Sequence, residues 1–164
     1  MRIPATLICL VLAAAGCVGP TPPPTSDPPP TSISPSPALD GVEGFVRDLT
    51  AAEAPAREAG AFDGTPLAPQ AVVVCVGLQD LRVYSYASAE ERAAAARRID
   101  PNDPSNIGTS IVEWAGEPKF WQRDRILVLY LGRDQPTIDL LVSVLGQPFA
   151  RGAGRPPLRG PDSC

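Results

Sequence analysis

Apolar residues along this chain recur with two different periods, and the switching between them predicts an order of elements. Val42, Phe45, Val46 and Leu49 follow i, i+3, i+4, i+7 spacing. They share one face of a helix that Asp40 can cap, with Glu43 three residues on. Pro55 limits that helix. Residues 71–76 form a short apolar run that reads as a buried strand. Leu81 to Tyr86 alternates Leu81, Val83 and Ser85 with Arg82, Tyr84 and Tyr86, the pattern of a second strand. Gly77-Leu78-Gln79-Asp80 between them is short enough for a hairpin.

A further helix opens at Ser88, with Glu91 placed as its capping-box partner. Glu90 and Glu91 in its first turn and Arg97 and Arg98 in its last suit the helix dipole, and its alanines give a thin face for close packing. Pro101 ends it. Ile111 to Trp114 and Arg125 to Leu131 read as the third and fourth strands, the latter apolar enough to be central. A last helix starts near Pro136, places Ile138, Leu141, Val142 and Leu145 on one face, and ends at Gly146 and Pro148. The α-β-β-α-β-β-α order predicts an α+β fold: a four-stranded, mainly antiparallel sheet with helices packed on one face. The globular domain is expected over 39–150, with an irregular tail over 151–164.

The chain before residue 39 has no such periodicity. Ile3 to Ala15 is apolar but too short to cross a bilayer as a helix, which takes about 20 residues. A charged Arg2, a short apolar core and the small residues Ala15-Gly16 before Cys17 form the pattern of a removable export signal. The stretch Leu12 to Cys17 resembles the cleavage site of bacterial lipoprotein precursors, although that family prefers Leu where this chain has Ala14. The resemblance implies a signal peptide over 1–16 and acyl chains on Cys17, anchoring the chain at the extracytoplasmic side of the cell membrane. More than one chain is needed for stable anchoring. The alternative is an ordinary signal peptide with Cys17 incidental. Residues 18–38 hold nine prolines among Thr, Ser and Gly. They read as an extended linker reaching about 65 Å.

Composition narrows the chemistry. The chain carries a formal charge of −4, and losing Arg2 with the signal makes it −5. Its arginines are scattered, so nothing marks a nucleic-acid partner. There is no histidine, which excludes a histidine-dependent triad and a histidine-ligated metal. Of four cysteines, Cys9 leaves with the signal and Cys17 is the lipidation candidate. Cys75 and Cys164 remain as a disulfide candidate in an oxidising compartment, against a buried free Cys75.

The acidic loop Asp100 to Asn106 offers clustered oxygens, but Ser105 and Ile111 stand where a calcium-binding EF-hand loop needs Gly and Glu. The same residues serve ordinary turns. No metal or cofactor is implied. Trp114, Phe120 and Trp121 are the candidate binding residues. Both tryptophans and the only lysine, Lys119, fall within the segment 114–121, and a bend at Gly116-Glu117-Pro118 would let the aromatics line a shallow groove. Alternatively the tryptophans staple the sheet edge against a helix. No nucleophile elbow, Ser-x-x-Lys, Cys-x-x-Cys, Walker or dinucleotide motif occurs. Glu113 and Glu117 leave carboxylate-only hydrolysis formally open.

Ile107-Gly108-Thr109, Leu129 to Gly132 and Leu140 to Gly146 resemble segments of small uncharacterised envelope lipoproteins of GC-rich bacteria. That resemblance implies an envelope address and a compact domain, and no activity. The expected function is a lipid-anchored binding or adaptor module for an envelope protein, a wall polymer or a small apolar ligand. The alternatives are a carboxylate-dependent hydrolase of envelope material, or a structural domain without ligand.

Overall fold

Residues 126–130 (Ile-Leu-Val-Leu-Tyr) are buried without a break, and the architecture is organised around them. A strand turns successive side chains to opposite faces, so an unbroken apolar strand requires both faces of its sheet to be covered. The computed structural model describes residues 37–154 and residue 164. The expected signal segment 1–16, Cys17, the expected linker as far as residue 36, and tail residues 155–163 lie outside the described residues.

The elements run α1 (Pro37–Ala51), β1 (Ala56–Phe62), β2 (Gln70–Val76), β3 (Gln79–Ser85), α2 (Ala89–Ala96), β4 (Asn106–Ile107), β5 (Ser110–Ile111), β6 (Lys119–Arg123), β7 (Ile126–Tyr130), α3 (Gln135–Leu145) and β8 (Ala150–Arg151). Six strands form one sheet in the order β1-β2-β3-β7-β6-β8, and every pairing is antiparallel. The fold is α+β. The sheet has six strands where four were expected, with β1 and β8 as the added edges. β4 and β5 pair separately as a small ribbon.

The helices also divide between the two faces instead of sharing one. Val42, Phe45 and Leu49 of α1 and Leu141 of α3 pack with Val72, Val74, Leu81, Val83, Trp121, Val128 and Tyr130 on the first face. Ala95 and Ala96 of α2 pack with Tyr84, Phe120, Leu127, Leu129, Ile107 and Trp114 on the second. The intervening β7 residues alternate between these two sets, as the pleat dictates.

Two connections carry the register. β2 and β3 are joined by Gly77 and Leu78 alone, and Gly77 takes φ +58° where a two-residue type II′ hairpin requires glycine. Gln79 and Asp80, expected in this turn, belong to β3 instead. β6 and β7 are joined by Asp124 and Arg125, with Asp124 at φ +45°, a conformation that Asp tolerates better than most residues.

The strand expected over Ile111–Trp114 is the largest local correction. Only Ser110–Ile111 is extended and paired, in the separate ribbon, and the central partner of β7 on this side is β6. Asp40, expected as a cap, lies inside α1, which begins at Pro37.

Helix termini follow their side-chain chemistry. Ser88 Oγ accepts the Glu91 amide at 3.1 Å, and Glu91 Oε2 accepts the Ala87 amide at 3.2 Å. Asp134 caps α3 by accepting the Thr137 amide at 3.0 Å, with Pro136 in the first turn. Cys75 on β2 and Cys164 are joined in a disulfide, with Cα atoms 5.4 Å apart. The chain leaving β8 passes so close to the segment before β6 that a Cβ on Gly154 would lie 1.4 Å from the Gly116 carbonyl oxygen. Only glycine fits that crossing.

Candidate ligand groove

The sequence-predicted aromatic site is not a surface. Trp114 is 8% exposed, and Phe120 and Trp121 are fully buried. Phe120 and Trp121 are consecutive on β6, so they point to opposite faces of the sheet. Trp114 packs edge-on against Phe120 with ring centroids 5.8 Å apart on the α2 face, and its Nε1 donates to the Pro104 carbonyl at 3.0 Å. Trp121 lies on the other face and donates to the Gly146 carbonyl at 2.9 Å, tying β6 to the end of α3. The three rings are core residues of two different layers. Both indole N–H groups are satisfied inside the fold, so no aromatic groove forms there.

Nor is Gly116-Glu117-Pro118 a hairpin bend between sheet strands. The Glu117 amide donates to the Leu131 carbonyl at 2.9 Å, and Lys119 Nζ donates to the Gly132 carbonyl at 2.9 Å. The Glu117 carboxylate is shared between Arg133 at 2.8 Å and Lys119 at 3.5 Å. That arrangement fastens the segment to the end of β7. Glu113 is exposed and Glu117 is committed to two cations, so the pair does not frame a cleft. In the loop 100–106, Asp100 Oδ1 accepts the amides of Asn102 and Asp103, and Asp103 accepts the Ser105 amide and the Asn106 side chain. These carboxylates act as turn acceptors.

The concavity with mixed chemistry lies elsewhere, along α2. It has a volume of about 380 Å³, within the range of roughly 300–1,000 Å³ that drug-sized ligands occupy. One wall is α2 itself, through Arg92, Ala93, Ala96 and Arg97. These positions are i, i+1, i+4 and i+5, which span about 140° of the helix circumference with the two arginines at its flanks. Pro101 and Phe149 also line it; the Arg151 amide donates to the Pro101 carbonyl at 3.4 Å and the Phe149 amide to the Phe120 carbonyl at 2.9 Å. Ile99 and Gln122 contribute the remaining surface. Phe149 is itself supported by Phe120, with centroids 6.2 Å apart.

The charges around this groove are unbalanced. Arg92 donates from Nε to the Asp124 carbonyl at 3.0 Å and from Nη1 to Gln122 Oε1. Both acceptors are neutral, so the guanidinium is positioned without being neutralised. Arg97 is exposed and has no side-chain hydrogen bond or ion pair among the described residues. Arg98 donates to the Pro66 carbonyl at 3.2 Å and Arg151 to Gln147 Oε1 at 2.9 Å, again neutral oxygens. Asp100, adjacent to Pro101, is occupied by the loop amides. Of these arginines only Arg92 and Arg97 line the groove, and Glu90 lies within electrostatic reach of Arg92.

Burial on this face of the sheet shows in the tyrosines. Tyr84 is pushed up to about 12, chiefly by desolvation and against the pull of Arg82. Tyr86 is raised further, again by burial first, and its hydroxyl donates to the Leu67 carbonyl at 3.2 Å. Both remain protonated near neutral pH and serve packing.

Arg92, Gln122 and Phe149 were not singled out from the sequence, and Arg97 was read only as a helix-dipole residue in the last turn of a helix that ends at Ala96, with Arg97 as its cap. One signal was present: two arginines bracketing four consecutive alanines on one helix. It is equally the pattern of a solvated helix face. Gln122 and Phe149 come from elements 25 or more residues away, and only the sheet topology brings them to α2. Among the described residues no helix is long and apolar enough to cross a membrane. In comparisons with known proteins, the chain matches no protein-family model, no curated protein and no solved structure.

Proposed function

We propose that this chain is a lipid-anchored extracytoplasmic binding module, tethered through Cys17 and its Pro-rich linker, that presents the α2 groove to a partner in the cell envelope. One observation carries the binding half of this reading. Arg92 and Arg97 flank apolar surface, and neither forms an ion pair among the described residues, although Arg92 feels the charge of Glu90 on its own helix. A cation left unpaired beside apolar surface gains most from an incoming anion, because the ligand shields the pair from water. The anchor half rests on the residues before Cys17, whose pattern resembles a lipoprotein cleavage site, and on a linker composition that favours reach over collapse.

The two halves are tested separately. Cys17→Ser should release the protein from washed membranes into the soluble fraction; continued membrane retention overturns the anchor. For the groove, a photo-crosslinking amino acid is placed at Gln122 in intact cells, with the same group at Asp139 on exposed α3 as the control. A discrete adduct from Gln122 alone supports the reading. Equal labelling from both positions, or none from Gln122, overturns it.

A further inference from the structure

We infer that the outer edge of β1 takes up an extended segment of another polypeptide by antiparallel strand addition, and that this segment carries a basic residue followed directly by an acidic one. The site stands apart from the α2 groove, because β1 closes the end of the strand order away from β6 and β8. β1 pairs with β2 along one side, and among the described residues no strand lies along the other. It is seven residues long against two for β8 at the opposite edge, and its five central residues are exposed. An edge strand presents unpaired N–H and C=O groups that a further strand can satisfy.

Two side chains on this edge decide which strand fits. Arg57 stands opposite Cys75 and Glu58 opposite Val74, so they project from opposite faces of the sheet. Both are exposed, and neither makes a hydrogen bond or ion pair among the described residues. Asp80 stands beyond Cys75 in the row of Arg57, two strand spacings or about 9.5 Å away. The row of Glu58 continues through Val74 and Leu81 to Tyr130 and holds no other charge. A strand added antiparallel meets Glu58 before Arg57. Its counter-charges therefore come in the order basic, then acidic, at adjacent positions, one for each face. Opposite charges directly across a strand pair stabilise it, and like charges destabilise it.

The same features turn away a second copy of this chain. Two β1 strands paired antiparallel about a two-fold axis bring together only positions an even number of residues apart. Arg57 then never faces Glu58 of the copy. An axis at Arg57 or at Glu58 sets like charges directly opposite each other. An axis at Ala59 sets the two β-bulges against each other, since the register with β2 shifts between Glu58 and Gly60. Axes farther along in either direction shorten the ladder. Charges and a bulge at an edge deter indiscriminate pairing. A strand that brings both counter-charges meets no such repulsion.

The test follows the backbone amides of the isotope-labelled full chain in detergent micelles by NMR during titration with acetyl-Thr-Val-Lys-Glu-Val-Thr-amide. Shifts should concentrate on residues 56–62. The reversed peptide, with Glu-Lys at its centre, should bind about fivefold more weakly, the scale of exposed cross-strand charge pairs exchanged for like ones. The double variant Arg57→Glu, Glu58→Arg should turn that preference round. The Lys-Glu peptide N-methylated at both valines should bind poorly, because valines three residues apart point one N–H toward β1 in any register. The assignment is overturned if the two charged orders bind alike, or if the double variant leaves the preference unmoved. It is equally overturned if the N-methylated peptide binds as well as the parent, or if millimolar peptide leaves the β1 amides in place. Shifts of those amides with protein concentration alone would overturn it in favour of a second copy. The Gln122 crosslink reports on the α2 groove and is untouched by any of these outcomes.

Discussion

The face of the sheet beneath α1 and α3 and the face beneath α2 are made from the same strands, yet they are finished differently. On the first, two amphipathic helices cover Val72, Val74, Val83, Val128 and Trp121 with apolar side chains, and ties such as Trp121 to Gly146 lock helix to strand. On the second, a short alanine-rich helix, a two-stranded ribbon and loops cover the aromatics, leaving arginines and a concavity at the rim. Closing a face with long helices stabilises the fold but leaves little that can recognise anything. Closing it with loops and a small helix costs packing and leaves polar groups exposed to a partner. On the proposed reading, one side serves stability and the other recognition.

The largest expected effect tests that division directly. Trp121→Ala removes a fully buried ring and leaves the Gly146 carbonyl without its donor, and should cost about 3–5 kcal/mol. Trp114→Ala, nearer the edge of the loop-covered face, should fall at or below the lower end of that range. Urea denaturation of the two variants decides it. A larger loss from Trp114 would show that the faces are not unequal.

The second prediction concerns the chain end. Cys75 points to the α2 side of β2, so the disulfide to Cys164 pins the C-terminus across the sheet from α1 and α3. Replacing both cysteines with serine should cost about 2–4 kcal/mol, mainly by freeing the unfolded chain. Thermal melts of the double variant check this, and an unchanged midpoint would deny the bridge its structural role.

These two regions also differ in how far the sequence announced them. The helix-covered face was readable in outline: Val42, Phe45 and Leu49, and Leu141, followed the helical period and fell on the buried face, and the run 71–76 was read as a buried strand. The α2 helix was readable from Ser88 and Glu91, whose cap is present. β6 was not, because Phe120 and Trp121 are adjacent and both buried. Alternation then vanishes, and the aromatics looked like a patch instead of a strand packed on both sides. β1 was missed for the opposite reason. Its residues Ala-Arg-Glu-Ala-Gly-Ala-Phe are an exposed edge with no apolar rhythm. The groove was invisible because its walls meet only through the β3-β7-β6-β8 order, which no local pattern encodes.

A third prediction sharpens the comparison through pH. Tyr84, on the α2 face, is raised from 10.0 to about 12, chiefly by burial. Because the folded value lies above the unfolded one, its contribution is complete below pH 10 and is lost as pH climbs from 10 toward 12. That loss amounts to about 2–3 kcal/mol. Tyr130 on the other face is raised as well, again by burial first. Stability measured against pH should therefore fall steeply above pH 10, and Tyr84→Phe should make the decline shallower. An identical alkaline curve for the variant would mean that Tyr84 ionises without opening the core.

The smallest expected effect on stability is the most discriminating. The Arg97 side chain is exposed and makes no hydrogen bond or ion pair among the described residues, so Arg97→Gln should change the unfolding free energy by no more than about 0.5 kcal/mol. If the α2 face is built for recognition, this nearly silent change should still diminish capture of the Gln122-linked partner in cells. Trp121→Ala in a chain kept folded at low temperature should leave capture intact. The two variants then dissociate stability from binding in opposite directions, one on each face. Should Arg97→Gln lower the melting point as much as it lowers capture, the arginine would be a structural element of α2, and the division of labour between the faces would collapse.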